Sequence, residues 1–307
     1  MNPHDPSALS PRAGRATVLL IMVTAAWGSS FFLIRDVVAT VPAADFLAVR
    51  FSLATLVMWA LLHRRVGALT AGQVRAGIGL GGVYGLAQLL QTAGLEHTSA
   101  TRSGFITGMY VVITPALGAL VLRSRLPVAT WVAALGALAG LGVLSLGSIG
   151  WGLGETLTLA SAAIFAVHIL WLGAASEEGA TLGLAAVQIA ACTVVCAIAA
   201  VAGGVVTPGT AFDWAVLIYL ALVCGAAAMW AQTWAQAHLA PTRAAIVMTT
   251  EPVFAALFAV GVGGELMTSR VAVGGGLILA AMYLSELGPR TRTATVPVEG
   301  LHHEPGG

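Results

Sequence analysis

The chain has 307 residues, of which 58% are hydrophobic and only 9% are charged. A soluble domain usually has about 45–50% apolar and about 25% charged residues, so this composition excludes an ordinary water-soluble globule. The net charge of +1 leaves no basic patch for nucleic acid, although all 14 basic residues are arginines. Glycine is abundant, at 37 residues, which predicts close packing of helices in a bilayer.

A helix that crosses a membrane needs about 20 apolar residues, and the chain contains ten such stretches. In chain order they are 16–34, 44–62, 76–95, 100–122, 128–147, 154–174, 180–202, 213–235, 241–262 and 269–287. The first is too long for a signal peptide and has no clear cleavage site, which predicts a retained helix. Residues 1–15 form an N-terminal tail, and 288–307 form a polar tail that we expect to be disordered.

The distribution of arginine predicts how the chain is oriented, because translocated loops avoid positive charge. With the N-terminus inside, ten arginines lie in inside segments: Arg12, Arg15, Arg64, Arg65, Arg75, Arg123, Arg125, Arg243, Arg290 and Arg292. Three lie at the outside: Arg35, Arg102 and Arg270. The inside loop at 175–179 carries Glu177 and Glu178 and no arginine, but acidic residues weigh little in this rule. Both termini are therefore predicted to be cytoplasmic, in a multi-pass protein of the cytoplasmic membrane.

Few motifs point to enzymatic or cofactor chemistry. Gly77–Gly82 matches GxGxxG, but a dinucleotide site needs a strand before it, so these glycines predict a helix-packing face instead. His302, His303 and Glu304 lie in the polar tail with no further ligands beside them. We find no Walker loop, HExxH or GxSxG. The sequence therefore predicts no enzyme activity, no cofactor and no metal.

The three cysteines lie inside predicted spans. Cys192 and Cys196 are four residues apart, which is the wrong spacing for a CxxC redox pair. We expect Cys192, Cys196 and Cys224 to be reduced and to serve packing.

The two halves of the chain resemble each other weakly. Ala26-Trp27-Gly28 parallels Ile164-Phe165-Ala166, 138 residues later, and His97-x-x-x-Thr101-Arg102 parallels His238-x-x-x-Thr242-Arg243, 141 residues later. Pro115 parallels Pro252, 137 residues later. Each half contains five spans, and because five is odd the second half enters the membrane in the opposite sense. The prediction is an all-α fold of two inverted five-helix repeats, 16–147 and 154–287, with a site near the midplane between them.

A series of short motifs follows in order along the chain: Ala26-Trp-Gly-Ser-Ser-Phe-Phe32, Arg50-Phe51, Gly94-Leu-Glu-His-Thr-Ser-Ala100, Gly104 to Pro115, Gln232-Thr-Trp-Ala-Gln236, Thr242-Arg243, Glu251 to Leu257 and Gly264-Glu265. Together these motifs resemble the EamA-type branch of the drug/metabolite transporter superfamily. The resemblance covers about residues 16–287. It implies ten helices in two halves, a central cavity and movement of small metabolites, often outward. The family often has Gly-Glu after the fourth helix, where this chain has Arg123-Ser124-Arg125.

Ionisable residues at membrane depth are the first candidates for function, because a charge in hydrocarbon is costly and must face the interior or a wet cavity. Glu251 lies about ten residues into its predicted span, directly before Pro252, which we expect to kink the helix. It binds a proton or a substrate amine, or else it is a neutral packing residue. For Arg50 there are four alternatives. It pairs with Glu251, it attracts an anionic substrate group, it extends its guanidinium to the lipid headgroups, or it forms a structural ion pair. His168 is a proton relay or a hydrogen-bonded core residue.

Polar amides and aromatic residues are the second group of candidates. Gln88 and Gln232 line a polar cavity or bridge helices, as do Gln91, Gln188 and Gln236. Trp27 stacks on substrate or packs; Tyr110, Trp230 and Trp234 carry the same two alternatives. Nearer the ends of the spans, Glu265 with Arg270 predicts a structural clamp, and Glu155 predicts a helix cap.

The sequence therefore predicts a secondary transporter of small metabolites or drugs, working by alternating access and coupled to protons through Glu251. The alternatives are an uncoupled facilitator or channel and, less well supported, a membrane enzyme on lipid substrates. Its expected partners are a small-molecule substrate and membrane lipids, as a monomer or homodimer. The candidate site comprises Glu251, Arg50, His168, Gln88, Gln232 and Trp27.

Overall fold

The structure, a computed structural model, describes residues 11–121, 128–145, 151–201, 205–239, 244 and 247–287. Within these ranges the chain is helical, with no strand. Residues 1–10, the tail at 288–307, Arg123-Ser124-Arg125 and Thr242-Arg243 lie outside these ranges. Residues 11–15, predicted as part of the N-terminal tail, instead form the first residues of a helix. The helices are α1 Pro11–Val38, α2 Ala43–Gly67, α3 Ala71–Leu95, α4 Ala100–Gly108, α5 Tyr110–Val121, α6 Val128–Ser145, α7 Leu153–Ala175, α8 Thr181–Ala200, α9 Ala211–Ala221, α10 Ala228–Gln236, α11 Glu251–Gly261 and α12 Ser269–Leu287.

Within the described residues, six stretches of helix are long and apolar enough to cross a bilayer: Arg12–Val38, Ala43–Gly67, Ala100–Leu120, Leu153–Ala175, Thr181–Ala200 and Ala211–Gln236. Shorter apolar helices lie at Trp131–Val143, Glu251–Gly261 and Ser269–Leu284. The third predicted span forms α3. The glutamines and glycines of α3 lower its mean hydropathy, so it is not one of these six. Large apolar side chains such as Leu56, Leu135 and Ile198 are exposed, as expected where helices face lipid.

Three predicted spans are not continuous α-helices. The fourth is divided between α4 and α5, and the eighth contains a π-helical segment, Leu222–Ala227, between α9 and α10. In the ninth, a turn at Thr249–Thr250 precedes α11. The expected kink at Pro252 is therefore wrong. Pro252 lies in the first turn of α11, where the missing N–H would have no helical partner in any case.

Glycines allow the closest helix contacts. Gly77, Gly81 and Gly85 all face α8, where a Cβ on Gly81 would lie 2.2 Å from the carbonyl oxygen of Gln188. This confirms a helix-packing face, formed by Gly77, Gly81 and Gly85, although Gly82 of the GxGxxG match is not part of it. Gly28 of α1 similarly meets α11, since a Cβ there would lie 2.5 Å from the Cβ of Phe254. Backbones approach here to a distance that no larger residue permits.

The helices of the two halves pack in an exchanged pattern. α2 packs on α8 and α6 on α12, so these helices meet their own counterparts. α3, which forms the third span, packs on α7. Its counterpart in the second half is the eighth span, and α10, the second part of that span, packs on α1. α1 packs on α11, just as α7 packs on α4 and α5. Each of these contacts thus has a partner with the roles of the halves reversed, as a two-fold relation requires.

Candidate functional site

A cavity of about 40 Å³ lies between the two halves. All six residues predicted from the sequence line it: Trp27, Arg50, Gln88, His168, Gln232 and Glu251. A space of 10–15 Å³ holds one water molecule, so this cavity has room for about three atoms of that size. The structure brings together side chains from α1, α2, α3, α7, α10 and α11 around this one space.

Arg50 is the permanent cation of the cavity and is 2% exposed. Its Nε donates a hydrogen bond to the carbonyl oxygen of Leu220 at 3.2 Å, and its guanidinium carbon lies 4.9 Å from the ring centre of Phe51. Its Nη1 has no hydrogen-bond partner in the described part of the chain. Arg50 and Glu251 form no ion pair there, so the pairing that the sequence left open is absent.

The π-helical segment Leu222–Ala227 and the helical turn just before it hold two of the cavity side chains. The indole N–H of Trp27 donates to the carbonyl oxygen of Cys224 at 2.9 Å. The Arg50 bond goes to Leu220, two residues before the segment begins. Such segments are rare, and many lie at functional sites. Here carbonyl groups in and just before it orient an aromatic wall and a cation at the cavity.

Glu251 is the first residue of α11 and is buried. The hydroxyl of Tyr110, itself the first residue of α5, donates to its Oε2 at 2.7 Å. A helix N-terminus stabilises negative charge, so the helix break places the acid in a favourable position. The acid and the tyrosine each begin the second part of an interrupted span.

His168 and Gln88 are joined through Tyr84. The Nε2 atom of His168 lies 3.0 Å from Oε1 of Gln188, and its ring centre lies 5.2 Å from that of Tyr84. Nε2 of Gln88 donates to the hydroxyl of Tyr84 at 3.0 Å. Oε1 of Gln88 and Oε1 of Gln232 find no partner among the described residues. The wall is therefore polar and aromatic, with hydrogen-bonding capacity left over.

Most of the lining residues occupy matching positions in the two halves. At a separation of 138, Trp27 matches Phe165, Ser30 matches His168 and Phe31 matches Ile169. At a separation of 141, Gln91 matches Gln232, Thr107 matches Met248 and Tyr110 matches Glu251. The remaining three, Arg50, Tyr84 and Gln88, all belong to the first half. The cavity thus lies where the two halves meet symmetrically, although its chemistry is not symmetric.

The prolines do not follow this symmetry. Pro115 lies inside α5, whereas Pro252 is the second residue of α11. The parallel read between them in the sequence does not correspond to matching helix positions.

Some lining residues escaped prediction from the sequence. Tyr84, Ser30 and Thr107 were not among the candidates, because single aromatic and hydroxyl residues are common in spans. The internal repeat contained a signal for Ser30, because Ser30 matches the candidate His168. Thr107 matches Met248, which was not a candidate. Nothing of that kind marks Tyr84, whose match at a separation of 141 is Gly225.

Other predicted polar and aromatic residues have neighbouring roles. Gln91 lines the cavity and donates to Thr107 at 3.1 Å. Gln236 donates to the carbonyl oxygen of Ile169 at 3.3 Å, beside the cavity rather than in its lining. Trp234 stacks on His238, with ring centres 4.3 Å apart, and Trp230 is also outside the lining.

Comparison with known proteins identifies the family. The EamA-like transporter family matches residues 15–146 and, a second time, residues 152–287. The chain belongs to the EamA-like transporter family. An uncharacterized transporter of Archaeoglobus fulgidus is 30% identical over 273 residues, which cover 87% of this chain and 84% of that protein.

A solved structure described only as "Crystal structure of protein" has the same fold. It gives a TM-score of 0.67 at 19% identity and covers 89% of this chain and 96% of that one. With the apolar helices, these matches make the chain a multi-pass membrane protein of a transporter family.

At one end of this EamA-family chain, two carboxylates join the halves. Glu265 accepts hydrogen bonds from the backbone N–H groups of Ala100 at 2.8 Å and Thr101 at 3.1 Å, and it forms an ion pair with Arg35. The predicted clamp between Glu265 and Arg270 is therefore wrong. Arg35, distant in sequence, is the partner, and exposed Arg270 takes no part in that contact.

The second of these carboxylates is Glu155, which caps α7 as predicted by accepting from the N–H of Gly152 at 3.0 Å. It also accepts from the hydroxyl of Thr98 at 2.6 Å and pairs with Arg102 at 3.4 Å. Arg35, Arg102 and Glu265 line a wider cavity of about 770 Å³ at this end, which we call the vestibule.

At the opposite end, contacts between the halves are more exposed. Arg12 pairs with Glu178 at 2.9 Å, and Nε2 of Gln73 donates to Glu177 at 2.8 Å. Surface ion pairs of this kind contribute little, about 0–1 kcal/mol. The carboxylates of the vestibule end are less exposed and therefore form the firmer connection.

The cysteines of the chain are free and buried. Among the described residues, no cluster of three or more His, Cys, Asp or Glu has a metal-binding arrangement.

Proposed function

We propose that the protein is a secondary active transporter of small metabolites or drugs that works by alternating access, with the central cavity as its binding site. The observation that carries this proposal is a cavity between the two repeats into which Arg50, Glu251 and unpartnered amide oxygens project. Charged groups inside a membrane protein usually mark a substrate or ion pathway. Export is the direction that the family resemblance implies.

The proposed topology is ten spans in two inverted repeats. The two matches to the family and the exchanged packing of the halves support two repeats. The ten apolar stretches of the sequence, five in each half, support the inversion, because an odd number of spans reverses the second repeat. The excess of arginine in the loops supports cytoplasmic termini, in the cytoplasmic membrane. This orientation would place the vestibule and Glu265 on the outside.

Glu251 is the proposed coupling group. It is buried at the cavity and bonded to Tyr110 across the interface between the halves, so its protonation changes a contact between the two repeats. Proton movement and substrate movement are then linked through one contact. His168 and Gln232 complete the wall from the second repeat.

The test begins by identifying what moves. Metabolites in cells and medium are compared between cells that overproduce the protein and cells that lack it. The compound that shifts is then followed in proteoliposomes with an imposed pH gradient. We expect Glu251→Gln to lower gradient-driven flux at least tenfold, about 1.4 kcal/mol in the barrier. Glu96→Gln, in which the carboxylate outside the cavity accepts from the N–H of Ala43, is the control.

If gradient-driven flux of Glu251→Gln equals that of the wild type, the proton role is wrong. If wild-type flux is independent of both pH and sodium gradients, the alternative of an uncoupled facilitator replaces the proposal.

A further inference from the structure

The lipid-facing side of α3 carries an arginine at one end of an apolar stripe. Arg75 lies in the second turn of α3 and is exposed. Ile78, Gly82 and Leu86 follow it at intervals of three, four and four residues, which places all four on one face of the helix. The side chains of Ile78 and Leu86 are 54% and 47% exposed. This face is therefore turned towards lipid along its length and ends in a positive charge.

Gly82 opens a groove in this face. A Cβ added at Gly82 would meet no atom of the described residues within 4 Å, so the space between Ile78 and Leu86 is open. Trp171 of α7 flanks this opening, because its ring packs on Gly79, about one turn before Gly82, and the side chain is 39% exposed. We call the surface formed by Ile78, Gly82, Leu86 and Trp171 the α3 groove. Since a helix rises 1.5 Å per residue, the opening lies about 10 Å along the helix from the arginine.

The carboxylates at this end of the protein do not neutralise Arg75. Glu178 pairs with Arg12, and Glu177 accepts a hydrogen bond from Gln73, two residues before Arg75 in the chain. None of the ion pairs between described residues includes Arg75. By contrast, the two arginines that line the vestibule pair with carboxylates of the chain. The positive charge of Arg75 is therefore available to a negative group from outside the chain.

We propose that the α3 groove binds an anionic phospholipid, with the phosphate on Arg75 and an acyl chain in the opening at Gly82. Basic residues next to a span attract anionic headgroups, and a tryptophan ring suits the boundary between headgroups and hydrocarbon. A phosphate without acyl chains would use the arginine alone, so the apolar groove beside it indicates a lipid. The site is separate from the central cavity and does not depend on the transported substrate.

The depth of the site in the bilayer agrees with this ligand. Arg75 and Trp171 each lie about one turn from the end of their helix, where headgroups are expected. Three further exposed arginines at the same end add to the positive potential there: Arg15, Arg64 and Arg65. In the proposed orientation this end faces the cytoplasm, and the cytoplasmic leaflet is rich in anionic lipid.

Quenching of Trp171 fluorescence tests the proposal on the full chain. The protein is placed in nanodiscs of phosphatidylcholine that contain a small fraction of phosphatidylglycerol with brominated acyl chains, because bromine quenches a tryptophan that it contacts. Phosphatidylcholine with the same brominated chains, at the same fraction, measures contact without a net headgroup charge. The difference between wild type and Trp171→Phe separates the signal of Trp171 from those of the other tryptophans.

We expect brominated phosphatidylglycerol to quench Trp171 at an about fivefold lower lipid fraction than brominated phosphatidylcholine, the preference that one arginine near the membrane surface gives. Arg75→Gln removes that preference. Arg75→Lys keeps it, because the lysine retains the charge. Gly82→Leu fills the opening and therefore lowers the quenching by both lipids.

Two variants outside the groove are the matched controls. Arg270→Gln removes an exposed arginine at the vestibule end, and Gly276→Leu changes a glycine of α12 that also has no described atom within 4 Å of an added Cβ. Both should be quenched as the wild type is. Thermal unfolding of each purified variant reports on folding. The Arg75 variants change an exposed side chain, so they decide the headgroup preference even if Gly82→Leu does not fold.

The proposal is overturned if the two brominated lipids quench Trp171 of the wild type equally, or if folded Arg75→Gln keeps the preference. It is also overturned if folded Gly82→Leu is quenched as strongly as the wild type, because the acyl chain would then lie elsewhere. Glycerol phosphate, added in water at the concentration of the lipid, should leave the quenching unchanged. Relief of quenching would mean that the site binds a phosphate without an acyl chain, which contradicts the proposal. None of these measurements uses transport, so their failure leaves the proposed function untouched.

Discussion

Replacing Glu265 by glutamine tests whether the vestibule end is a gate. The Glu265 carboxylate binds two backbone N–H groups at the start of α4 and the guanidinium of Arg35, so it joins the second repeat to the first. Glutamine keeps one oxygen acceptor. It removes the charge and turns an NH₂ group towards a backbone donor.

The expected effect follows from these bonds. Loss of one bond at a helix N-terminus costs about 1 kcal/mol. Loss of a partly buried charge-assisted bond costs about 1.5–3 kcal/mol, of which we take the lower part because the side chain of Arg35 is 27% exposed. The sum, about 2–3 kcal/mol, shifts the balance between closed and open states roughly 30- to 150-fold.

Labelling of a cysteine in the cavity measures this shift. Ser30 lines the central cavity, and the three native cysteines are buried, so Ser30→Cys provides a site with low background. A membrane-impermeant maleimide is added outside intact cells. We expect Glu265→Gln to raise the labelling rate at least tenfold over the Ser30→Cys protein alone.

The matched control is Glu96→Gln. The carboxylate of Glu96 binds the N–H of Ala43 at 3.0 Å, a contact within the first repeat. Its loss costs one comparable bond without separating the repeats. Equal labelling rates in the Glu265→Gln and Glu96→Gln proteins would refute the reasoning that Glu265 holds the halves together.

Two further predictions concern packing and the cavity, both measured by thermal unfolding in detergent. Gly81→Ala is expected to destabilise the protein by about 1–3 kcal/mol, because its Cβ would overlap the backbone of α8; Gly82→Ala, with no atom within 4 Å of an added Cβ, should leave the melting temperature unchanged. Tyr110→Phe leaves the buried carboxyl of Glu251 without its hydroxyl donor and should cost about 1.5–3 kcal/mol. Glu251→Gln keeps an acceptor for that hydroxyl and should cost less. Equal melting temperatures within either pair would contradict the corresponding argument.

Hydropathy was enough to locate the helices, because a long apolar run in lipid has few alternatives to a helix. It did not predict the interruptions at Met109, at Leu222–Ala227 or before Glu251. Where a helix is interrupted, backbone hydrogen bonds are lost and contacts with other helices compensate for them. The hydropathy of the local sequence does not encode those contacts. Glu251 was therefore expected in mid-helix although it begins α11.

The six candidate residues line one cavity because exposing a polar group to lipid is costly, so polar side chains in spans face the interior of the helix bundle. The same reasoning failed for the partner of Glu265. Arg270 is near in sequence, but loops at one membrane face meet irrespective of their order in the chain. Arg35, 230 residues away, is the residue that reaches it.

The matching positions around the cavity also bear on why the two repeats share one chain. In a homodimer of identical five-helix subunits, each side chain on the two-fold axis would face a copy of itself. An acid at the position of Glu251 would then oppose a second acid, and the two negative charges would repel each other. Once the repeats are covalently joined, each position mutates independently, so Tyr110 can donate to a single Glu251 and Ser30 can stand opposite His168. Fusion thus turns a symmetric container into a site with one acid and one permanent cation.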